Sequence, residues 1–582
     1  MNPNWDLSYL YKGFDDPAFL ADLKRFPEEI KVEQAILDGG DDPQTKLEKL
    51  TDQQEVLGAL SDRLSSFCNL TQAVDANNAD ATKYLNVLDV IFNDSRIVSS
   101  AVTRYIGSLP NLEDLIAASP KLQKVAFHLR ESAENAHHTI PEAVEPWILE
   151  MSLSGGSAFS QLRDKLDSTH TANYRGQEIP LSAVRGLAYD ADASVRKDAY
   201  EAEIASYKKM ELPMSYCLNA VKMEARTLSK AKGYPSVLDM TLSDSRMDRA
   251  TLDAMLTAIR EYLPHFRRYM KAKAKLLGHQ NGLPFYDLFA PVGQNVHTYT
   301  VEEAREMLVR LMGQFTPEMG KFIDNAFEQR WIDIYPREGK TGGAFCSPVH
   351  FADRSLVMTN FTGSFSDVST IAHELGHAWH NRCLAGLPYS MIDTPMPLAE
   401  TASIFNEQLL AHMVLKDASP DEQLSLLEGN LMETNQTIVD IYSRYLFETE
   451  VIDTRADHAM SVDELKDAML RAQEASYGDG LDPEIRHPYM WACKSHYYSS
   501  GYNFYNFPYA FGELFAKGVF AQYLQKGAAF VPDYCRLLRS CGSGTIADVA
   551  ASVGIDVRNP DFWRSSLEVV KGNIDKFCEL VK

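Results

Sequence analysis

The residues best suited to chemistry lie in segment 367–380, whose sequence is DVSTIAHELGHAWH. This segment contains an H-E-x-x-H pattern formed by His373, Glu374 and His377. On a helix, residues four apart lie one turn above each other and about 40° apart around the axis, so both imidazoles face the same way. Two such imidazoles reach one zinc ion at about 2.0–2.1 Å each. Glu374 lies beside them, where its carboxylate can act on a water molecule at the metal.

A catalytic zinc site needs a third protein ligand and leaves a fourth position open. The next helix-like stretch, residues 398–407, offers Glu400 and Glu407, which lie seven residues apart and therefore on one helical face. One carboxylate can bind the metal while the other orients a ligating histidine. Apolar neighbours such as Ala402 and Phe405 favour a packed helix whose carboxylates turn inward.

The start of this helix and a third histidine need separate interpretation. Ser366 or Asp367 is predicted to cap the helix. His380 follows His377 by three residues, but H-E-x-x-H-x-x-H lacks the longer, glycine-containing spacing of metzincins. We therefore interpret His380 as a core residue or a neighbour of the ligands. The alternative for the whole motif is a surface helix whose histidines only form hydrogen bonds.

The size and composition indicate a globular protein of several lobes. The chain has 582 residues, which exceeds the limit of about 250–300 residues for a single core. Hydrophobic residues make up 45% and charged residues 24%, which is ordinary globular composition. The net charge of −23 repels phosphate backbones, so nucleic acid is not expected as a partner.

Cysteine usage and the absence of apolar runs predict a cytoplasmic protein without a membrane partner. No C-x-x-C pair occurs, which is typical of reduced thiols in a long chain. Residues 1–14 lack a basic segment followed by an apolar one, so no secretory signal is predicted. No run of about 18 apolar residues predicts a membrane span. The eight cysteines are Cys68, Cys217, Cys346, Cys383, Cys493, Cys535, Cys541 and Cys578.

Most of the remaining sequence predicts helices. The clearest apolar stripe covers residues 252–263, with Asp248 before it as a cap. Similar spacing occurs at 47–70 and 438–451. These stripes are typical of core packing.

Several stretches interrupt the predicted helices. The sequence LSGGS at 153–157 predicts a turn region, and residues 167–179 predict a small hairpin around Tyr174-Arg175-Gly176. Residues 280–293 predict a structured connection rich in glycine, proline and aromatics. Residues 355–361 predict a strand. A strand directly before a catalytic helix offers an edge on which an extended peptide could lie, and a purely structural hairpin is the alternative.

Together these motifs make the chain resemble the oligoendopeptidase F branch of the thimet oligopeptidase family of zinc peptidases. The resemblance covers nearly the whole chain and its motifs occur in family order. The motifs are WDLSYLY (5–11), FYDLFAPVG (285–293), HELGHAWH (373–380), AETASIFNE (399–407) and SHYYSSGYNFYNFPYAFG (495–512).

The resemblance implies a mainly α, multi-lobed, zincin-like peptidase with a deep substrate channel and a small β element next to the H-E-x-x-H helix. It implies three regions: an N-terminal helical region (1–110), a small lobe of oligoendopeptidase F type (111–190) and a catalytic domain (191–582). The expected cofactor is one Zn²⁺ per chain, and the expected substrate is a short unfolded oligopeptide. The oligomeric state stays open.

The resemblance also assigns site residues. It implies that Glu400 is the third zinc ligand. It also implies that Glu407 orients one of the ligands without binding the metal itself. It implies that His496, Tyr502 and Tyr509 act on the substrate. The choice of Tyr502 and Tyr509 is left open, with Tyr505 as a competing candidate. The chemistry of these side chains agrees with the assignment, because a phenol O–H or imidazole N–H stabilises the tetrahedral oxyanion of peptide hydrolysis. About half of the aromatic side chains in residues 497–509 are expected in the core.

Three other functions are weighed against a zinc endopeptidase. A zinc exopeptidase of the dipeptidyl carboxypeptidase type would use the same metal site. A non-catalytic peptide-binding protein on the same fold would be expected to have lost Glu374 or a ligand, and all four positions are filled. A cysteine peptidase would pair Cys493 with His496, but nearness in sequence does not create a nucleophile–base pair.

Overall fold

The computed structural model describes residues 3–141, 143–293 and 297–581. It confirms the prediction of a mainly α protein. The helices of the first half are α1 (Pro17–Asp38), α2 (Pro43–Val74), α3 (Ala79–Gly107), α4 (Leu112–Ala118), α5 (Pro120–Lys124), α6 (Ala126–Ala136), α7 (Glu145–Ser154), α8 (Gly156–Thr169), α9 (Leu181–Gly186), α10 (Ala193–Ala231), α11 (Val237–Asp244) and α12 (Arg249–Leu276). Those of the second half are α13 (Val301–Phe315), α14 (Pro317–Glu328), α15 (Phe365–Leu384), α16 (Met396–Ala399), α17 (Thr401–Asp417), α18 (Pro420–Asn435), α19 (Ile441–Thr454), α20 (Val462–Tyr477), α21 (Met490–Cys493), α22 (Phe507–Lys526), α23 (Val531–Ser540), α24 (Ile546–Ala551) and α25 (Pro560–Leu580).

The strands form two small sheets within the described residues. β1 (Thr171–Tyr174) and β2 (Gln177–Pro180) form an antiparallel hairpin. β3 (Ile332–Asp333), β4 (Phe345–Val349) and β5 (Arg354–Met358) form a sheet in the order β3-β5-β4. β5 pairs in parallel with β3 and antiparallel with β4.

The chain separates into two compact units, each built from three segments. Unit 1 comprises Met1–Thr139, Val296–Met413 and Gln522–Gly554. It contains the three-stranded sheet and α15. Unit 2 comprises Ile140–Asn295, Val414–Ala521 and Ile555–Lys582. It contains the hairpin and the aromatic segment 495–512.

The apolar stripes predict the core helices correctly. α12 begins after Asp248, whose side chain accepts a hydrogen bond from the Thr251 backbone N–H at 2.8 Å. Its predicted stripe is buried, as shown by Leu252 and Ile259. The stripe at 47–70 lies within α2. The stripe at 438–451 begins in a π-helical segment, Gln436–Asp440, and continues in α19.

The interruptions are also found, with shifted boundaries. Gly155 separates α7 from α8, but the predicted turn region at 153–157 is otherwise helical. The hairpin turns at Arg175 and Gly176, whose φ angles of 49° and 83° lie in the left-handed region of backbone conformation. Residues 167–169, predicted as part of the hairpin, still belong to α8.

The predicted strand before the catalytic helix exists, but its expected exposed edge does not. β5 ends at Met358, three residues earlier than predicted. It lies between β3 and β4, so it is the central strand of this sheet and not an edge strand, although β3 pairs only with Val357 and Met358. β4 is an edge strand of this sheet.

No helix within the described residues combines the length and apolar character needed to cross a bilayer.

Candidate metal and peptidase site

The helix that carries the H-E-x-x-H motif is α15, and its start differs from the prediction. Ser364 is the cap: its hydroxyl accepts from the Asp367 backbone N–H at 3.1 Å. The Asp367 carboxylate accepts in return from the Ser364 N–H at 3.0 Å, which completes a capping box. Ser366 and Asp367 therefore lie inside the helix. The sequence contained the signal, since a serine followed three residues later by an acidic residue precedes an apolar run.

Three side-chain atoms converge in unit 1 on one point. His373 Nε2 and His377 Nε2 lie 3.2 Å apart. Glu400 Oε2 lies 3.3 Å from each of them. Among the described residues, these are the His, Cys, Asp and Glu side chains that cluster closely enough to hold a metal ion.

The spacing of these atoms fits a tetrahedral ion. Bonds of about 2.0–2.1 Å to a tetrahedral centre, as in zinc sites, place two ligand atoms about 3.3–3.4 Å apart. All three distances agree with this edge length to about 0.2 Å. Two imidazoles and one carboxylate also form the donor set of many catalytic metal sites, which leave a fourth position open. The residues therefore fit a metal ion.

Glu407 fixes which nitrogen of His373 faces this point. Glu407 Oε1 lies 2.5 Å from His373 Nδ1, so the Nδ1–H donates to the carboxylate and the lone pair of Nε2 is directed at the cluster. Burial lowers the pKa of His373, but hydrogen bonds with Glu400 and Glu407 outweigh it and raise the pKa to about 10. The same contacts hold the pKa of Glu400 well below its usual range, although burial opposes them. Proton and metal ion therefore compete for Nε2.

The close approach of α15 and α17 depends on residues that sequence reasoning missed. A Cβ at Gly376 would lie 2.5 Å from the Ala402 carbonyl oxygen, so only glycine fits between the helices. The Asn406 side-chain amide donates to the Ala372 carbonyl at 3.0 Å. The helical stretch 398–407 is interrupted at Glu400, between α16 and α17, and the Ser403 hydroxyl donates to Glu400 Oε2 at 2.7 Å. The glycine inside H-E-L-G-H was the available signal.

Glu374 lies beside the cluster and next to the edge strand. It is 5% exposed, and burial raises the pKa of its carboxyl group, opposed by His373 and His377. Its charge in turn contributes, after burial, to the raised pKa of Cys346 on β4. A buried carboxylate next to a metal position and an unpaired strand edge can exchange protons with a water molecule near a bound peptide.

His380 is a core residue. It is 4% exposed and its Nε2 lies 3.1 Å from the Leu538 carbonyl oxygen. Burial and the nearby His377 lower its pKa to about 4. The structure therefore directs His380 away from the cluster, in agreement with its interpretation as a non-ligand.

In unit 2, His496 forms an aromatic cluster with two of the three candidate tyrosines. The His496 ring stacks on Tyr509, with centroids 6.0 Å apart, and meets Tyr505 edge-on at 5.1 Å. Tyr502 is 70% exposed, and its ring centroid lies 5.9 Å from that of Tyr505. The structure thus groups Tyr505, not Tyr502, with His496 and Tyr509.

The other aromatics of the segment are core, as expected for about half of them. Tyr497, Tyr498, Phe504 and Phe507 are all at most 2% exposed. They anchor the segment, while the remaining rings keep accessible surface. The division could not be predicted, because tyrosine is suited to both environments.

A buried ion pair fixes the loop that carries Tyr505. Glu448 and Lys222 are fully buried and lie 2.7 Å apart. Glu448 also accepts from the Phe504 N–H at 3.0 Å and from the Asn506 amide at 2.7 Å. Lys222 additionally donates to Asn503 at 2.9 Å. These bonds hold Phe504 at a φ of 51°, a conformation that L-residues seldom adopt.

The chain before His496 is held by a second buried cation. Arg163 on α8 donates to the carbonyl oxygens of Ala492 and Cys493 at 3.2 and 3.0 Å. Burial, with the positive charges of Arg444 and Lys494, lowers the pKa of His496 to about 4. The His496 imidazole is therefore neutral at physiological pH.

Cys493 lacks the properties of a nucleophile. It is buried, and burial raises the pKa of its thiol. Its sulfur lies 3.5 Å from the Met490 carbonyl oxygen. A catalytic cysteine needs the opposite environment, partly exposed and with a lowered pKa.

Comparison with known proteins identifies the family. The profile of peptidase family M3 matches residues 186–569, which is well over half of the chain. The chain belongs to peptidase family M3. A second profile, described as Oligopeptidase F, matches residues 110–171 of this M3 peptidase. The resemblance that the sequence motifs indicated is therefore confirmed.

Curated relatives of this M3 peptidase cover almost its whole length. It is 24% identical to the oligoendopeptidase F homolog of Lactococcus lactis subsp. lactis (strain IL1403), over 99% of this chain and 97% of the relative. It is 23% identical to oligopeptidase PepF of Bacillus subtilis (strain 168), over 92% of this chain and 81% of the relative.

Solved structures show the same fold. A Chlamydophila abortus protein, described as a candidate peptidase, aligns with a TM-score of 0.86 and 23% identity over 100% of this chain and 99% of its own. Oligoendopeptidase F from Enterococcus faecium aligns with a TM-score of 0.68 and 18% identity over 97% and 98%. The M3 peptidase is thus an enzyme that acts on peptides, in a metal-dependent family, and it carries a His-His-Glu group able to hold a metal ion.

The geometry predicts which variants of this M3 peptidase lose metal. His373→Ala and Glu400→Ala each remove one of the three converging side chains and should abolish metal binding at this cluster. Glu407→Gln should weaken binding about 10–100-fold, because it orients His373 without touching the metal. Metal content after dialysis against a metal buffer, measured by mass spectrometry, checks this.

His380→Gln is the matched control, since it alters the remaining histidine of the motif and should keep full metal content. Circular dichroism verifies the fold of each variant. A Glu400→Ala protein with one tightly bound ion per chain would contradict the ligand assignment.

Proposed function

We propose that this M3 peptidase is a zinc metalloendopeptidase that hydrolyses internal bonds of short, unfolded oligopeptides. One observation carries the zinc site: the mutual spacing of 3.2–3.3 Å among His373 Nε2, His377 Nε2 and Glu400 Oε2. Glu407 orients His373. The names of the relatives, oligoendopeptidase F, support the choice of internal bonds and of oligopeptides.

Each residue near the ligands has a defined role in this proposal. When bound, zinc supplies a Lewis acid that lowers the pKa of water towards about 7 and polarises a carbonyl. Glu374 takes a proton from the attacking water and passes it to the leaving amine. Its burial supports this role, because a carboxylate excluded from bulk water keeps the transferred proton for the next step.

The substrate is held by strand pairing and by aromatic donors. β4 offers the edge on which an extended peptide can pair. His496, Tyr502 and Tyr509 donate hydrogen bonds to the oxyanion as it forms. Tyr505 is the alternative to Tyr502, and its contact with the His496 ring favours it.

The domain division stays part of the proposal. Residues 1–110 form an N-terminal helical region, 111–190 a small lobe of oligoendopeptidase F type, and 191–582 the catalytic domain. The Oligopeptidase F match over 110–171 and the M3 match over 186–569 support it.

Hydrolysis of a peptide blocked at both ends tests the endopeptidase function against the exopeptidase alternative. An N-acetylated, C-amidated peptide of about ten residues lacks the free ends that an exopeptidase binds. We expect internal cleavage, read by mass spectrometry of the products, and loss of cleavage after chelation with recovery on adding zinc. Cleavage restricted to C-terminal dipeptides of unblocked peptides would favour the dipeptidyl carboxypeptidase type.

Glu374→Gln should separate metal binding from chemistry. The amide preserves shape but cannot accept the proton, so kcat should fall at least about 10²–10⁴-fold. Zinc content should stay at one ion per chain, because Glu374 is not a ligand. Cleavage of a quenched fluorescent peptide and metal analysis measure the two quantities. Turnover close to that of the wild type would remove Glu374 as the base.

Tyr509→Phe should reduce kcat about 10²–10³-fold by removing one oxyanion donor, with zinc content unchanged. Tyr502→Phe and Tyr505→Phe, measured in the same assay, assign the second donor: the variant with the larger loss in kcat identifies it. An unaltered kcat in Tyr509→Phe would exclude this tyrosine as a donor.

A further inference from the structure

Unit 2 encloses a cavity of about 130 Å³ whose walls contain none of the residues assigned to the reaction. Aromatic rings form much of the wall, among them Tyr189, Tyr200, Tyr286 and Phe289. An engineered apolar cavity of about 150 Å³ is large enough to bind benzene. This cavity therefore has room for one small organic molecule.

Four of the five Arg, Lys, Asp and Glu residues of the wall have an ion-pair partner, and the fifth, a cation, has none among the described residues. Arg185 faces Glu203 at 3.2 Å. Arg196 donates to the buried Asp287 at 2.8 Å.

Asp440, which also lines the cavity, accepts from Arg444 at 2.8 Å. Lys494 is the remaining charged residue of the wall, and its ammonium forms no hydrogen bond or ion pair with any residue that the structure describes. Burial lowers its pKa, and the positive charge of Arg444 adds to this. Asp440, which already accepts from Arg444, acts on Lys494 from beyond ion-pair distance and opposes this shift. A partly desolvated ammonium that contacts no carboxylate attracts an anion.

An amide oxygen in the same wall also lacks a partner. Asn435 is 5% exposed, and its Oδ1 accepts no hydrogen bond from any described group. It is the last residue of α18, directly before the π-helical segment Gln436–Asp440, and such segments often occur at functional sites. A buried acceptor of this kind is satisfied by a ligand that donates an N–H.

We propose that this cavity binds a single free α-amino acid with a small apolar side chain. The carboxylate pairs with Lys494, the ammonium group donates to Asn435 Oδ1, and the side chain packs on the aromatic wall. Inorganic anions would leave the aromatic wall uncovered.

Calorimetric titration of the zinc-loaded enzyme tests this with three ligands of similar shape. L-Valine carries both charges, L-valinamide lacks the carboxylate, and 3-methylbutanoate lacks the ammonium. We expect L-valine to bind with a Kd at least ten-fold lower than either analogue. In Lys494→Met, the affinity for L-valine should fall to that of the amide.

Lys209→Met, which alters an exposed lysine of α10, is the matched control and should bind as the wild type does. His373→Ala distinguishes the cavity from the proposed metal site, because L-valine binding should persist there. If Lys494→Met fails to fold, Asn435→Leu replaces it: the ammonium of the ligand then has no acceptor, so the affinity for L-valine should fall to that of 3-methylbutanoate.

Three results would overturn the proposal. They are the absence of L-valine binding, equal binding of L-valine and L-valinamide by the wild type, and loss of binding in His373→Ala.

Discussion

The close packing of α15 against α17 is the constraint on which the candidate metal site depends, because it holds three electron-pair donors 3.2–3.3 Å from one another. His373, His377 and Glu400 repel each other at this distance unless a cation or a shared proton lies among them. The fold holds them there through backbone contacts. Gly376 lets the two helices touch, and Asn406 ties α17 to the Ala372 carbonyl. The spacing of these three atoms is thus imposed by the packing of α15 against α17.

The same principle operates around the aromatic segment of unit 2. Glu448 offers a buried carboxylate whose charge is balanced by Lys222 and whose oxygens accept from the Phe504 N–H and the Asn506 amide. Removing either charged partner would leave the other uncompensated in the core, which costs about 3–5 kcal/mol. That energetic penalty fixes a loop with an unfavourable backbone angle.

In this protein, tyrosine and histidine occur both at the candidate site and in the buried core. Tyr497 and Tyr498 anchor the segment that carries Tyr505 and Tyr509, although nothing in their local sequence distinguishes them. His380 and His377 differ likewise: both follow a histidine on α15, but only His377 turns towards Glu400, while His380 meets the Leu538 carbonyl. Burial and partner, set by distant segments, decide the role of each.

Features that depend on local periodicity follow from the amino-acid sequence alone. Helical spacing predicts the shared face of His373 and His377, the buried stripe of α12 and its Asp248 cap, because each rests on contacts within one or two turns. The identity of the edge strand, the core position of His380, the grouping of Tyr505 with His496 and the support from Glu448 were decided only by the tertiary structure. These depend on which segments, separated by tens to hundreds of residues, pack against each other, and no local pattern encodes that pairing.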